Sequence, residues 1–132
     1  MSIKILQGNC LETLSSLEEK SVNTCVTSPP YWGLRDYGNG DQLGQEETPE
    51  KFVENLVNVF REVRRVLRDD GTVWLNLGDS YCGTGHKGDH TDPKHKDGRN
   101  GQKVALNNKI QGFKPKDLIG IPWRVAFALQ AD

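Results

Sequence analysis

The chain has 132 residues, 35% hydrophobic and 27% charged, enough for one globular domain and too few for two. Its 17 Lys and Arg against 18 Asp and Glu leave a net charge of −1, which excludes a uniformly basic coat for nucleic acid but not a local basic face. Its 3 cysteines (Cys10, Cys25 and Cys82) are too few and too odd for a disulfide framework and predict a reducing, cytoplasmic setting, and no apolar run approaches the ~20 residues of a membrane helix.

Ile3–Leu6 is a short apolar run that reads as a strand entering a turn at Gly8-Asn9. Cys10–Leu17 carries apolar positions at 10, 11, 14 and 17, the spacing of a short helix. Val22–Thr27, VNTCVT, has the composition of a buried strand. It stops at Ser28-Pro29-Pro30, because proline cannot donate to a ladder. Residues 33–47 are a glycine-rich loop. Thr48 then caps a helix whose first position suits Pro49. Phe52, Val53, Leu56, Val57, Phe60, Val63 and Leu67 form its apolar stripe, and Arg64, Arg65 and Arg68 suit the negative end of its dipole. Asp69-Asp70-Gly71 is expected to end this helix, with Thr72–Leu77 as the next strand. Strand, helix and strand in this order predict a crossover onto a parallel sheet. Residues 83–114 are polar and glycine-rich and read as a flexible insertion. A last helix is expected from Pro115. The fold class predicted is α/β: a partial, truncated Rossmann-like arrangement, an open, mainly parallel sheet with flanking helices, filling residues 1–132.

The chemistry concentrates in Thr27-Ser28-Pro29-Pro30-Tyr31-Trp32, at the C-terminal end of a predicted parallel strand, the edge where open α/β sheets bind ligands. Two successive prolines stiffen the backbone and remove two N–H donors. The carbonyls of Ser28 and Pro29 then act as rigid acceptors beside the Ser28 hydroxyl. Tyr31 and Trp32 add flat apolar faces. Such a site suits a planar group bearing an NH2. The blander possibility is that the prolines merely end a strand and both aromatics are core. Asp79, after the next strand, either faces the same pocket or caps a turn. Arg35 lies in the following loop, in reach of a phosphate.

With these stretches in view, the sequence resembles the β-class DNA amino-methyltransferases, which methylate cytosine N4 or adenine N6. TSPPYWGLRDYG resembles the family's catalytic loop. TPEKFVENLVNVFREVRRVLRDDGTVWLNLGDSY resembles the helix-strand unit behind it, and KPKDLIGIPWRVAFALQAD the start of the segment after the insertion. The resemblance implies a flipped base held by Ser28, Pro29, Pro30 and Tyr31, with Trp32, Arg35 and Asp79 as substrate contacts. It implies S-adenosyl-L-methionine as methyl donor, double-stranded DNA as partner, and direct attack by the amine with no covalent enzyme intermediate. Ser28 at the first motif position leans toward cytosine N4, with adenine N6 as runner-up. Asn9 departs from the family's usual Gly-Asp after the first strand.

The expected Phe-x-Gly-x-Gly turn of the cofactor half is absent from the sequence, so the cofactor residues are unknown and the chain is expected to be an N-terminal catalytic part, inactive alone. A sheet strand left at an edge would expose apolar surface and favour a missing C-terminal half or self-association as partner. Cys82, His86, His90 and His95 lack a paired ligand unit, so no metal is expected. Lys87, Lys94, Lys96, Arg99, Lys103, Lys109, Lys114 and Lys116 either track phosphates or form a solvated loop. An inactive DNA-binding remnant, and methylation of RNA or of a glutamine amide, remain as competing functions.

Overall fold

The computed structural model describes residues 3–34, 36–83 and 110–132. The order is α1 (Cys10–Ser15), β1 (Val22–Thr27), α2 (Pro49–Val66), β2 (Leu67–Leu75) and α3 (Ile121–Ala131). β1 and β2 pair in parallel, as a strand-helix-strand crossover requires.

α2 organises the core. The Thr48 hydroxyl accepts a hydrogen bond from the Lys51 N–H at 3.2 Å, and Pro49 occupies the first turn, where its missing N–H costs nothing. One stripe of α2 (Phe52, Leu56, Val57, Phe60, Val63 and Val66) is buried, each large side chain contributing about 1.5–3 kcal/mol. It packs against Trp32, Cys82, Ile119, Ile121 and Val125. Arg65 reaches from the last turn of α2 to the carbonyls of Leu14 and Leu17, satisfying acceptors at the end of α1.

Cys25, Leu75 and Leu77 pack on the core, whereas Val26 and Trp74, paired across the strands, are 77% and 66% exposed on the other face. The helices therefore cover one face of the described sheet. α3 is apolar on both sides, with Ile121 and Val125 buried and Trp123 and Phe127 exposed.

Several boundaries differ from the sequence reading: α1 ends at Ser15 and not Leu17, and the strand expected over Thr72–Leu77 spans Leu67–Leu75, which takes Leu67 out of the helix stripe. Ile3–Leu6 forms no strand: Ile3 and Ile5 are 91% and 86% exposed, and among the described residues no strand lies beside this apolar run to form a ladder. Asp69-Asp70-Gly71 does not end α2, which stops at Val66. Instead the trio lies in a bulge of β2, where the register slips from Val22↔Leu67 to Thr24↔Thr72. Gly71 is needed there, since a Cβ would sit 2.9 Å from the Arg68 carbonyl oxygen and 3.1 Å from that of Asn23. α3 starts at Ile121, not near Pro115, because the backbone before it is engaged elsewhere. Lys116 and Ile119 donate to the carbonyls of Cys82 and Ser80, and Cys82 donates to Asp117, a short antiparallel pairing around the Tyr81↔Leu118 bridge. Gly120, at φ 80°, then turns the chain into the helix.

The flexible insertion predicted at 83–114 lies mostly outside the described residues, as do Arg35, His86, His90, His95 and the lysines and arginine between 87 and 109. Among the described residues no helix is long and apolar enough to cross a membrane, and no group of three or more His, Cys, Asp or Glu gathers as for a metal ion.

Candidate functional site

The tetrapeptide Ser28–Tyr31 leaves β1 at the C-terminal edge of the sheet. Ser28 is exposed, and Pro29, Pro30 and Tyr31 are half-buried. No described residue donates a hydrogen bond to the Ser28 hydroxyl or to the Ser28, Pro29 and Pro30 carbonyl oxygens. The two prolines bring no N–H of their own. Acceptors therefore cluster here without donors among the described residues, beside a half-buried phenol ring.

Tyr31 is held from one side. Its ring lies over Gly78, where a Cβ would come within 2.6 Å of Cε2 and 2.8 Å of Cδ2. The Asn76 side-chain amide donates to the Tyr31 hydroxyl at 3.3 Å. The Asn76 backbone N–H donates to the Thr27 carbonyl at 2.9 Å, which fixes the root of the tetrapeptide. Behind Tyr31, Gly44 adopts φ +96° and comes so close that a Cβ would lie 2.7 Å from the Tyr31 carbonyl oxygen.

Trp32 corrects an expectation. The resemblance implies a substrate contact, yet Trp32 is 0% exposed and belongs to the core. Its indole N–H donates to the Glu46 carbonyl at 2.9 Å, and its own carbonyl accepts from the Ser80 hydroxyl at 2.5 Å. A planar side chain flanked by an apolar helix stripe gains more from burial than from display.

Asp79 is engaged with backbone. One carboxylate oxygen accepts from the N–H groups of Ser80, Gly120 and Ile121 at 2.8–3.0 Å, and the other accepts from Gly120. A carboxylate at the first N–H groups of α3 is favoured by the helix dipole as well as by these bonds. This geometry is the capping alternative raised from the sequence, and it leaves Asp79 turned to α3. Asn9 caps α1, accepting from the Leu11 N–H at 2.9 Å.

Two site-shaping residues were not singled out from the sequence. Glu46 accepts from Gly44 N–H at 2.8 Å and from the Asn55 side chain at 3.0 Å, linking the loop to α2. Ser80 holds the Trp32 carbonyl. Neither carries a motif: Glu46 bonds a nearby N–H and a side chain of α2, and Ser80 bonds the Trp32 carbonyl, remote in sequence. A polar depression of about 330 Å³ lined by Lys20, Arg68, Asp69 and Asp70 lies at the opposite, N-terminal edge of the sheet, and the ion pairs Lys20–Asp69 and Arg68–Asp70 already neutralise it.

The DNA methylase family model of N6 and N4 methyltransferases matches residues 22–125, which include every residue of the tetrapeptide. The chain is 49% identical over 132 residues to the Type II methyltransferase M.SmaI of Serratia marcescens, covering 99% of this chain and 44% of that protein. It is 50% identical over 128 residues to M.XycI of Xanthomonas campestris pv. cyanopsidis, covering 97% of this chain and 42% of that one. It is 44% identical over 128 residues to M.SfiI of Streptomyces fimbriatus, covering 95% and 26%. The chain thus spans less than half the length of these relatives. No solved structure matches it.

Proposed function

We infer the function from one premise: this chain belongs to the DNA methylase family of N6 and N4 methyltransferases. We propose that it supplies the base-binding half of a restriction-modification DNA methyltransferase and that the target is the exocyclic N4 of a flipped cytosine. The observation that carries this reading is the cluster of acceptors at Ser28, Pro29 and Pro30 that no described residue donates to, next to the half-buried ring of Tyr31.

In this reading the Ser28 hydroxyl and the Pro29 carbonyl accept the two hydrogens of the amine. Both interactions push electron density onto nitrogen and strengthen as it becomes cationic, which is where electrostatic stabilisation accelerates a reaction. Pro30 keeps the backbone from relaxing away. Tyr31 stacks on the extruded base and offsets part of the few kcal/mol of unstacking. Asp79 keeps α3 against the site, and Arg35 meets a phosphate of the duplex. S-adenosyl-L-methionine supplies the methyl group when bound. The described residues form no glycine-rich turn from a strand into a helix, so they do not fit a donor cradle and none is assigned to it. Ser28 in the first motif position favours cytosine N4 over adenine N6. The enzyme would work in the cytoplasm, where its DNA is.

A methyl-transfer assay tests the reading. The chain is co-expressed with the C-terminal remainder of the Serratia relative, then given unmethylated duplex DNA and methyl-labelled S-adenosyl-L-methionine. N4-methyldeoxycytidine is expected, lost in Ser28→Ala and Tyr31→Ala and absent when either polypeptide is used alone. N6-methyldeoxyadenosine would overturn the cytosine assignment. Duplex binding with no methylated nucleoside in any combination would favour a binding remnant and sink the enzymatic reading.

A further inference from the structure

We propose that Ser80 is a positioning residue for the tetrapeptide Ser28–Tyr31, acting through Trp32 as a buried anchor. The inference rests on the reading that this tetrapeptide grips the amine.

A chain segment that must aim its own carbonyls cannot use those carbonyls to hold itself in place. Among the described residues no donor reaches the acceptors of Ser28, Pro29 and Pro30, so the order of these three comes from Tyr31, held by Asn76 and Gly78, and from the two ends of the segment. At the first end, Asn76 N–H fixes the Thr27 carbonyl at 2.9 Å. At the other, Trp32 is gripped twice. Its indole N–H is tied at 2.9 Å to Glu46, whose carboxylate is itself bonded to Asn55 of α2. Its carbonyl is tied at 2.5 Å to the Ser80 hydroxyl. Ser80 does not drift either. Its N–H donates to Asp79, which caps α3, and its carbonyl accepts from Ile119 at 2.9 Å. Between the two grips lie four residues, two of them prolines with φ locked near −65°. A stiff bridge pinned at both ends has few conformations left. The packed helices thereby set the direction of the acceptors without touching them. The peptide plane between Trp32 and Gly33 is held at both edges: its N–H donates to the Gly44 carbonyl at 2.8 Å, and its carbonyl accepts from Ser80, the bond that ties this plane to the segment leading into α3.

The test compares Ser80→Ala with Ser80→Thr, which keeps the hydroxyl. In the isotopically labelled chain, Ser80→Ala should broaden or split the backbone amide signals of Tyr31, Trp32 and Gly33 while those of β1 and α2 stay in place. Ser80→Thr should restore them. Unchanged loop signals in Ser80→Ala overturn the proposal. So does a collapse of the whole spectrum, since Ser80 would then hold the fold and not the loop. In the complemented methyl-transfer assay, Ser80→Ala should lower kcat about tenfold to a hundredfold with the KM for DNA unchanged. A wild-type kcat overturns the proposal. If the unmutated chain transfers no methyl group, the functional reading fails, and the amide signals still decide whether the grip exists.

Discussion

Adding one methyl group at Gly78 probes the support of Tyr31 more directly than removing the ring. A Cβ there would stand 2.6 Å from Tyr31 Cε2, against an ordinary carbon contact of about 3.5 Å, so the ring must retreat by about 1 Å. The Asn76–Tyr31 hydrogen bond, already 3.3 Å long, does not survive that shift. Because the ring is half-exposed, it has solvent to move into, and the overpacking cost falls at the low end of its range, about 1 kcal/mol. Function is less forgiving: a misplacement of about 1 Å at a reacting site can cost about a hundredfold in rate. Gly78→Ala should therefore lower the urea midpoint slightly and cut methyl transfer by about two orders of magnitude in the complemented assay. In a Tyr31→Ala background the same substitution should move the urea midpoint no further, because the two changes act through one contact. A wild-type rate in Gly78→Ala, or an undiminished effect when the ring is gone, would refute the reasoning.

Other predictions follow from the core, the thiols, the acid response and the bare sheet face. Phe52 is 0% exposed at the centre of the α2 stripe, so Phe52→Ala should cost about 3–5 kcal/mol and move the urea midpoint sharply downward; an unmoved midpoint contradicts the packing described. Burial pushes the Cys25 thiol up and Cys82 is buried, so iodoacetamide followed by mass spectrometry should find exposed Cys10 labelled first, Cys25 later and Cys82 last. The hydrogen bond from Arg61 holds the Asp132 carboxyl below the usual carboxylate range, favouring its ionised form in the folded chain. That stabilisation is present above about pH 4 and is lost as pH falls through the lowered value, so Asp132→Asn should flatten the acid limb of a stability-against-pH curve. Val26 and Trp74 form an exposed apolar pair, so sedimentation should show concentration-dependent association that Trp74→Lys weakens.

The elements legible in the sequence are those whose causes are local. VNTCVT closes at two prolines, and β1 spans Val22–Thr27, although its outer face is exposed where a buried strand was expected. Thr48, Pro49 and the stripe from Phe52 to Val63 carry cap, first turn and buried face together, and α2 begins at Pro49. Where the reading failed, a distant partner decided the outcome. Ile3–Leu6 is a short apolar run that finds no strand to pair with among the described residues. The Asp69-Asp70-Gly71 trio looked like a stop, yet β1 recruits it into a bulged ladder. Lys116 and Ile119 give their N–H groups to Cys82 and Ser80, which delays α3 to Ile121. At the site the tetrapeptide was legible because proline leaves few choices. The roles of Trp32, Glu46 and Ser80 were not, because each is defined by a backbone carbonyl far along the chain.

The parallel pairing of Val22 with Leu67 and Thr27 with Leu75 has a further consequence for how the molecule is made. A growing chain leaving the ribosome presents Ser28–Tyr31 well before Asn76, Gly78 and Ser80 have been synthesised. Until then the first strand has no neighbour, and closing so large a loop is entropically costly before any ladder bond rewards it. The tetrapeptide therefore acquires its geometry late, in the same step that completes the crossover. A chain stalled between the two strands would carry the proposed base-binding motif in its sequence and none of its geometry in three dimensions.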